Sequence, residues 1–254
     1  MSSASLVDLA YQHLSDGLCS GRLAAGDQIS ENLLSKELQI SRTPVREAIR
    51  RLQAEGLVNQ IPKIGTFVRT PSRREVVELY EQREALETYL ARRLAERSSV
   101  STANELLSLC DQMSALISEG KDSGGVLSAS SSAGRIRSID IAFHETLARD
   151  AGNQLIYRSL FDGRVMSRVF TGRLKMERFI SVAEHEKAVK EHRLIAKAIR
   201  DGDAESAYGF MSEHISLALS RSLSLLDSQV TVQKDDRFSR LMSDDAVEGD
   251  RSPA

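Results

Sequence analysis

A chain of 254 residues with 41% hydrophobic side chains can bury a sizeable core and has room for one or two domains. Aromatic residues make up only 5% and tryptophan is absent, which favours aliphatic helical packing over a β-sandwich. The formal net charge of −2 excludes an overall polycation, so any contact with nucleic acid must come from a local patch.

The N-terminus has no charged segment followed by an apolar core, and no apolar run approaches the roughly 20 residues that span a bilayer. A soluble, cytoplasmic protein is expected. Residues 6–20 carry Leu6, Leu9, Ala10, Leu14 and Leu18 at helical spacing, and 21–26 reads as a loop. Cys19 and Cys110 lie far apart without Cys-x-x-Cys spacing, which favours buried thiols over a bridge or a zinc knuckle.

The stretch 31–56 reads as two helices and a tight turn. Ser30 caps the first, whose apolar stripe is Leu33, Leu34 and Leu38, and the turn falls at 39–41 with Ser41 as the next cap. In the second helix Val45, Ala48, Ile49 and Leu52 share one buried face. Arg42, Arg46 and Arg50 recur at i, i+4 and i+8 on another, with Arg51 near them. Pro44 is tolerated in the first turn, and Gly56 accepts the left-handed conformation that ends the helix. Arginine spacing alone fits a solvated helix as well as a reading helix. The sequel decides: two β-prone runs, Leu57 to Ile61 and Gly65 to Arg69, flank a Pro-Lys-Ile-Gly turn with Lys63 at its tip. Helix, turn, helix and hairpin make a winged helix suited to the major groove.

Ser41-Arg42-Thr43-Pro44-Val45-Arg46-Glu47-Ala48, with Gly21-Arg22-Leu23-Ala24-Ala25-Gly26-Asp27 before it and Glu55-Gly56-Leu57-Val58 after it, resembles the N-terminal domain of the GntR family of bacterial winged-helix regulators. Two positions depart from the pattern: Ile64, where arginine is common before the wing glycine, and Ala25, where proline is usual. The resemblance implies binding to a double-stranded DNA operator by a homodimer. Arg42, Arg46 and Arg50 would contact bases or phosphates, Ser41 and Thr43 phosphates, and Lys63 and Gly65 would serve at the wing.

Beyond a short linker at 70–72, where Ser72 is a capping site, the periodicity predicts only helices. They are expected at about 73–97, 102–118, 137–149, 153–170, 181–200 and 203–226. A Gly/Ser-rich surface loop is expected at 120–134, a bend at 172–178, and a turn at 201–203. The polar run after Asp227 reads as a disordered tail. The fold is therefore expected to be mainly α: a winged helix-turn-helix domain over 1–71, an all-α bundle of about six helices over 72–227, and a tail over 228–254.

In the bundle, Asp140 and His144 stand at i, i+4, and His192 and His214 lie on two later helices. Each histidine taken alone reads more readily as a satisfied core or surface residue than as a metal ligand. Together the four make an N/O donor set suited to Zn, Ni or Mn, although spacing alone does not bring the helices together. Asp140-x-x-x-His144, then Glu191-His192-x-x-Ile195-x-x-Ala198-Ile199-x-x-Gly202-Asp203, then His214-Ile215, resembles the FCD domain of the FadR branch of GntR regulators. That resemblance implies a divalent metal ion held by Asp140, His144, His192 and His214. Arg83, within Arg83-Glu84-Ala85-Leu86-Glu87, matches a further family element and would either bind an effector carboxylate or form a salt bridge with Glu87.

The function implied is a ligand-responsive transcription regulator, a repressor released by a small organic acid at the metal site. A regulator that senses the ion itself is the alternative. A metal-dependent enzyme is less favoured, because no general base or nucleophile motif accompanies the set, and no catalytic residue is expected.

Overall fold

The computed structural model describes residues 5–20, 22–23, 25–122, 132–160 and 182–247. The N-terminal domain contains α1 (Leu6–Ser20), β1 (Gln28–Ile29), α2 (Glu31–Glu37), α3 (Arg42–Ala54), β2 (Val58–Ile61) and β3 (Gly65–Val68). Its core forms where the apolar faces of the three helices meet the sheet: Ala10, Leu14 and Leu18 from α1, Leu34 from α2, Val45, Ala48, Ile49 and Leu52 from α3, and Val58 and Val68 from the strands. Leu33 is not in that core. It stands one residue, or about 100°, away from the Leu34–Leu38 stripe and is 68% exposed. Leu6 and Leu9 are likewise exposed at the open end of α1.

Ser30 caps α2 by accepting the Leu33 N–H. Ser41 sits at the N-cap of α3 with extended backbone, yet its side chain makes no capping bond, contrary to expectation. Gln39 takes a positive φ in the turn, and Gly56 does so after α3.

β2 and β3 form the expected antiparallel wing, with Ile61 opposite Gly65. The two residues of β1 add a third strand on the far side of β3. Gly65 has φ +148°, and a Cβ there would lie 2.5 Å from the Gln28 amide nitrogen, which donates to the Ile64 carbonyl. Gly65→Ala is therefore expected to cost about 1–3 kcal/mol through backbone strain. Chemical denaturation of the purified variant measures it, and an unchanged midpoint would contradict the strain.

The second domain begins at α4 (Arg73–Glu96), whose capping box pairs Ser72 with Glu75. It continues through α5 (Val100–Asp122), α6 (Ser132–Asp150), α7 (helical over 154–160), α8 (Val182–Asp201) and α9 (Ala204–Val247). Helix α4 packs on α9, α8 and α6, while α5 covers α6 and α8. Leu90, Leu94, Leu106, Met113, Phe143, Leu147, Ile195 and Ile199 fill the space between them. The Cys110 thiol is buried there, and burial pushes its pKa up to about 12. The Cys19 side chain lies outside the described residues, as do the bend at 172–178 and most of the expected loop at 120–134. The ends of that loop are helical instead: α5 runs to Asp122 and α6 starts at Ser132.

The largest difference from expectation is the last helix. It continues to Val247, through most of the segment expected to be disordered. From Phe210 to Val247 the chain holds neither glycine nor proline, so no residue stops the helix after its apolar period fades. Among the described residues, no helix is long and apolar enough to cross a membrane.

Candidate metal centre and reading helix

His144 projects from α6, His192 from α8 and His214 from α9, and all three are buried. Their Nε2 atoms converge: His144 lies 3.4 Å from His192 and 3.3 Å from His214. Ligand atoms of the three fall within 4.8 Å of one another. Asp140, one turn before His144, brings Oδ1 to 3.6 Å from His192 Nε2 and is the more open member of the set. Three of the four residues singled out in the sequence therefore converge, because α6, α8 and α9 all face the same interior as α4, while Asp140 approaches the His192 ring.

Two carboxylates complete the surroundings, and sequence reasoning assigned neither of them to the centre. Glu87, fully buried on α4, lies 2.5 Å from His144 Nδ1. Glu191, on α8, lies 2.8 Å from His214 Nδ1. Each is met by an arginine: Arg83 Nε donates to Glu87 at 2.8 Å, and Arg221 donates to Glu191 at 3.3 Å. The Arg83–Glu87 pair is thus a buried ion pair beside the histidines rather than a surface one. The available signal was its i, i+4 spacing on a helix with apolar neighbours.

Electrostatics follow from this packing. Burial, assisted by the nearby His214, pushes the His192 pKa down to about 3, and Asp140 and Glu87 only partly oppose it, so the ring is neutral. Burial works against the Arg83 charge, but Glu87, Tyr80 and Asp140 more than offset it and hold its pKa above the ordinary value. For Glu191, burial is outweighed by its bonds to His214 and Arg221, and its pKa falls. Among the described residues, His192 Nδ1 and Glu191 Oε1 are buried without a hydrogen-bond partner.

The centre contains an arrangement that favours a cation. A carboxylate can only accept, so the ring nitrogen that meets it carries the proton. With Nδ1 facing Glu87 and Glu191, His144 and His214 turn their Nε2 atoms toward each other 3.3 Å apart, and in the neutral tautomer these atoms carry lone pairs. Two lone pairs held that close in a buried site repel unless a positive ion or a donated proton lies between them. Neutral imidazoles with carboxylates behind them are the usual construction around a divalent ion.

The second surface of interest lies on α3. Ser41, Arg42, Thr43, Arg46 and Arg50 are all exposed, and the α3 core residues point away from them. Glu31 of α2 holds Arg46 Nε at 2.7 Å and Arg42 at 3.5 Å, while Arg50 pairs with Glu47. Arg51 belongs to the scaffold instead: its guanidinium stacks 3.8 Å over Tyr11 and pairs with Asp8 and Glu55. Lys63, with φ +66°, and Ile64 are exposed at the wing tip, next to the half-buried Gly65.

Comparison with known proteins matches the two domains to known patterns. The pattern described as bacterial regulatory proteins, gntR family, matches residues 6–68, and the FCD domain pattern matches residues 78–217. A probable D-xylose utilization operon transcriptional repressor of Paenarthrobacter nicotinovorans is 30% identical over 80% of this chain and 82% of its own. A gluconate operon transcriptional repressor of Bacillus licheniformis is 25% identical over 74% and 73%. In overall fold the chain is similar to E. coli McbR/YncC, with a TM-score of 0.71 at 19% identity, covering 87% of this chain and 98% of that one.

Proposed function

Because the chain belongs to the GntR family of bacterial regulatory proteins and carries an FCD domain, making it a ligand-responsive DNA-binding transcription regulator, we propose that it represses an operon until a small organic acid binds at a divalent metal ion. The carrying observation is the trio of converging buried Nε2 atoms, two of them on rings whose Nδ1 meets a carboxylate. These residues fit a metal. Asp140, His144, His192 and His214 would hold it, and Zn, Ni or Mn suits that donor set. When bound, the ion would supply a Lewis-acid position for a carboxylate. Arg83, its Nε held by Glu87, would offer its remaining N–H groups to the same acid. The relative named for the gluconate operon, whose subject is a sugar acid, supports that chemical class.

At the other end, a homodimer would present two α3 helices to two half-sites of an operator in the cytoplasm. Ser41, Arg42, Thr43, Arg46 and Arg50 would meet bases and phosphates, and Lys63 and Gly65 the backbone beside them. The acid acts only if it favours one arrangement of the two heads over the other, since equal affinity for both shifts nothing.

Replacing His192 and His214 together with alanine tests this reading. Wild-type protein is expected to take up one ion of Zn²⁺, Ni²⁺ or Mn²⁺, and to be stabilised further by sugar acids only when loaded. At a ligand concentration of 100 times Kd the gain should be about 2.7 kcal/mol. The double variant should lose both responses in a thermal-shift titration. Acids that stabilise chelator-treated protein equally well would overturn the metal's part, and operator release by the ion alone would make the ion the signal.

A further inference from the structure

We infer that Glu87 and Glu191 are positioning residues that decide which nitrogen of His144 and His214 faces the metal centre, each fixed in turn by its own arginine. This inference rests on the metal reading above and concerns residues outside the expected ligand set.

Two chains of contacts run inward from different helices and end alike. On α4, Arg83 donates to Glu87, and Glu87 accepts from His144 Nδ1 across to α6. Arg221, from α9, donates to Glu191 on α8, which accepts from His214 Nδ1 back on α9. In both, the carboxylate meets the ring on the side away from the centre. A free imidazole divides its proton between two nitrogens, so half of its useful orientations are lost to metal binding. A carboxylate behind Nδ1 removes that ambiguity and leaves the Nε2 lone pair directed inward. The arginine keeps the carboxylate from turning to another donor.

His192 provides the contrast. It is as deeply buried, and its Nε2 points to the same centre, but among the described residues its Nδ1 has no hydrogen-bond partner. Two of the three rings are therefore held from behind, and the third is held by packing against Phe143, whose ring centroid lies 4.2 Å away.

Glu87→Gln and Glu191→Gln test the inference in the full-length protein, because glutamine keeps the shape and a hydrogen-bonding end. In chelator-treated wild type, long-range ¹H–¹⁵N spectra of the histidines should show His144 and His214 protonated at Nδ1. Glu87→Gln should disturb that state at His144 alone, and Glu191→Gln at His214 alone. Zinc affinity, measured by competition with a chromophoric chelator, should fall about tenfold or more in each variant. A merely structural role would change melting temperature without this ring-by-ring pattern. Wild-type His144 and His214 protonated at Nε2, or folded variants that hold zinc as wild type does, would overturn the inference. Wild type that takes up no zinc would sink the metal reading instead, while the ring assignments would still decide this one.

Discussion

Glu87→Ala is expected to cost about 3–5 kcal/mol of stability. The reason is the charge it leaves behind. Arg83 is only 9% exposed and its Nε is bonded to Glu87, so truncation strands a guanidinium where water cannot reach it readily. It also strips His144 Nδ1 of its acceptor. For a chain of this size the melting temperature should fall on the order of 10 °C. A companion variant separates charge from shape. Replacing the pair together, Arg83→Met with Glu87→Leu, removes both charges and should recover most of the loss, as buried pairs exchanged for apolar side chains often do. Equal destabilisation by the single and double variants would mean that packing around α4, and not the stranded charge, sets the cost.

The second large effect belongs to DNA binding. Arg46→Ala is expected to weaken the operator complex by about 1–3 kcal/mol per half-site if the guanidinium reads a base, or about 5- to 150-fold. In the absence of DNA this side chain is paired with Glu31, so engagement exchanges one acceptor for another rather than recruiting a free cation. The discriminating measurement is fluorescence anisotropy with a promoter fragment and a random duplex at several salt concentrations. Loss of a base contact should compress the ratio between the two duplexes. Loss of a phosphate contact in each half-site should weaken both alike and reduce the salt slope of the dimer by about two. Unchanged affinity for both would remove Arg46 from the reading surface.

The reading head was legible because its signals are local. Ser30, Pro44, Gly56 and the Val45–Leu52 stripe each act within a few residues, and α2, α3 and the wing lie where those signals put them. What escaped has non-local causes. Strand β1 is two residues long and exists because β3 offers it an edge, which no property of Gln28 and Ile29 announces. Leu33 was misassigned because two adjacent leucines cannot both face inward, and only the tertiary contacts choose between them. In the bundle, the spacing of Asp140 and His144 could be read on one helix, but their meeting with His192 and His214 depends on how three helices pack. Glu87 and Glu191 were invisible for the same reason. One sat in an ordinary i, i+4 pair with arginine, and the other stood beside a histidine in sequence while serving a different one in space.

The junction between the halves turns on Glu75. One oxygen of its carboxylate closes the capping box at the start of α4, accepting from the Ser72 backbone and hydroxyl, while the other pairs with Arg69 at the end of the wing strand. A single side chain thus anchors the first turn of the helix and tethers the head. Swinging the head far enough to pull Arg69 away would drag on the anchor of the very helix that carries Arg83 and Glu87 two and three turns further along. The Arg69–Glu75 pair is thus the point at which the position of the head meets the capping of that helix.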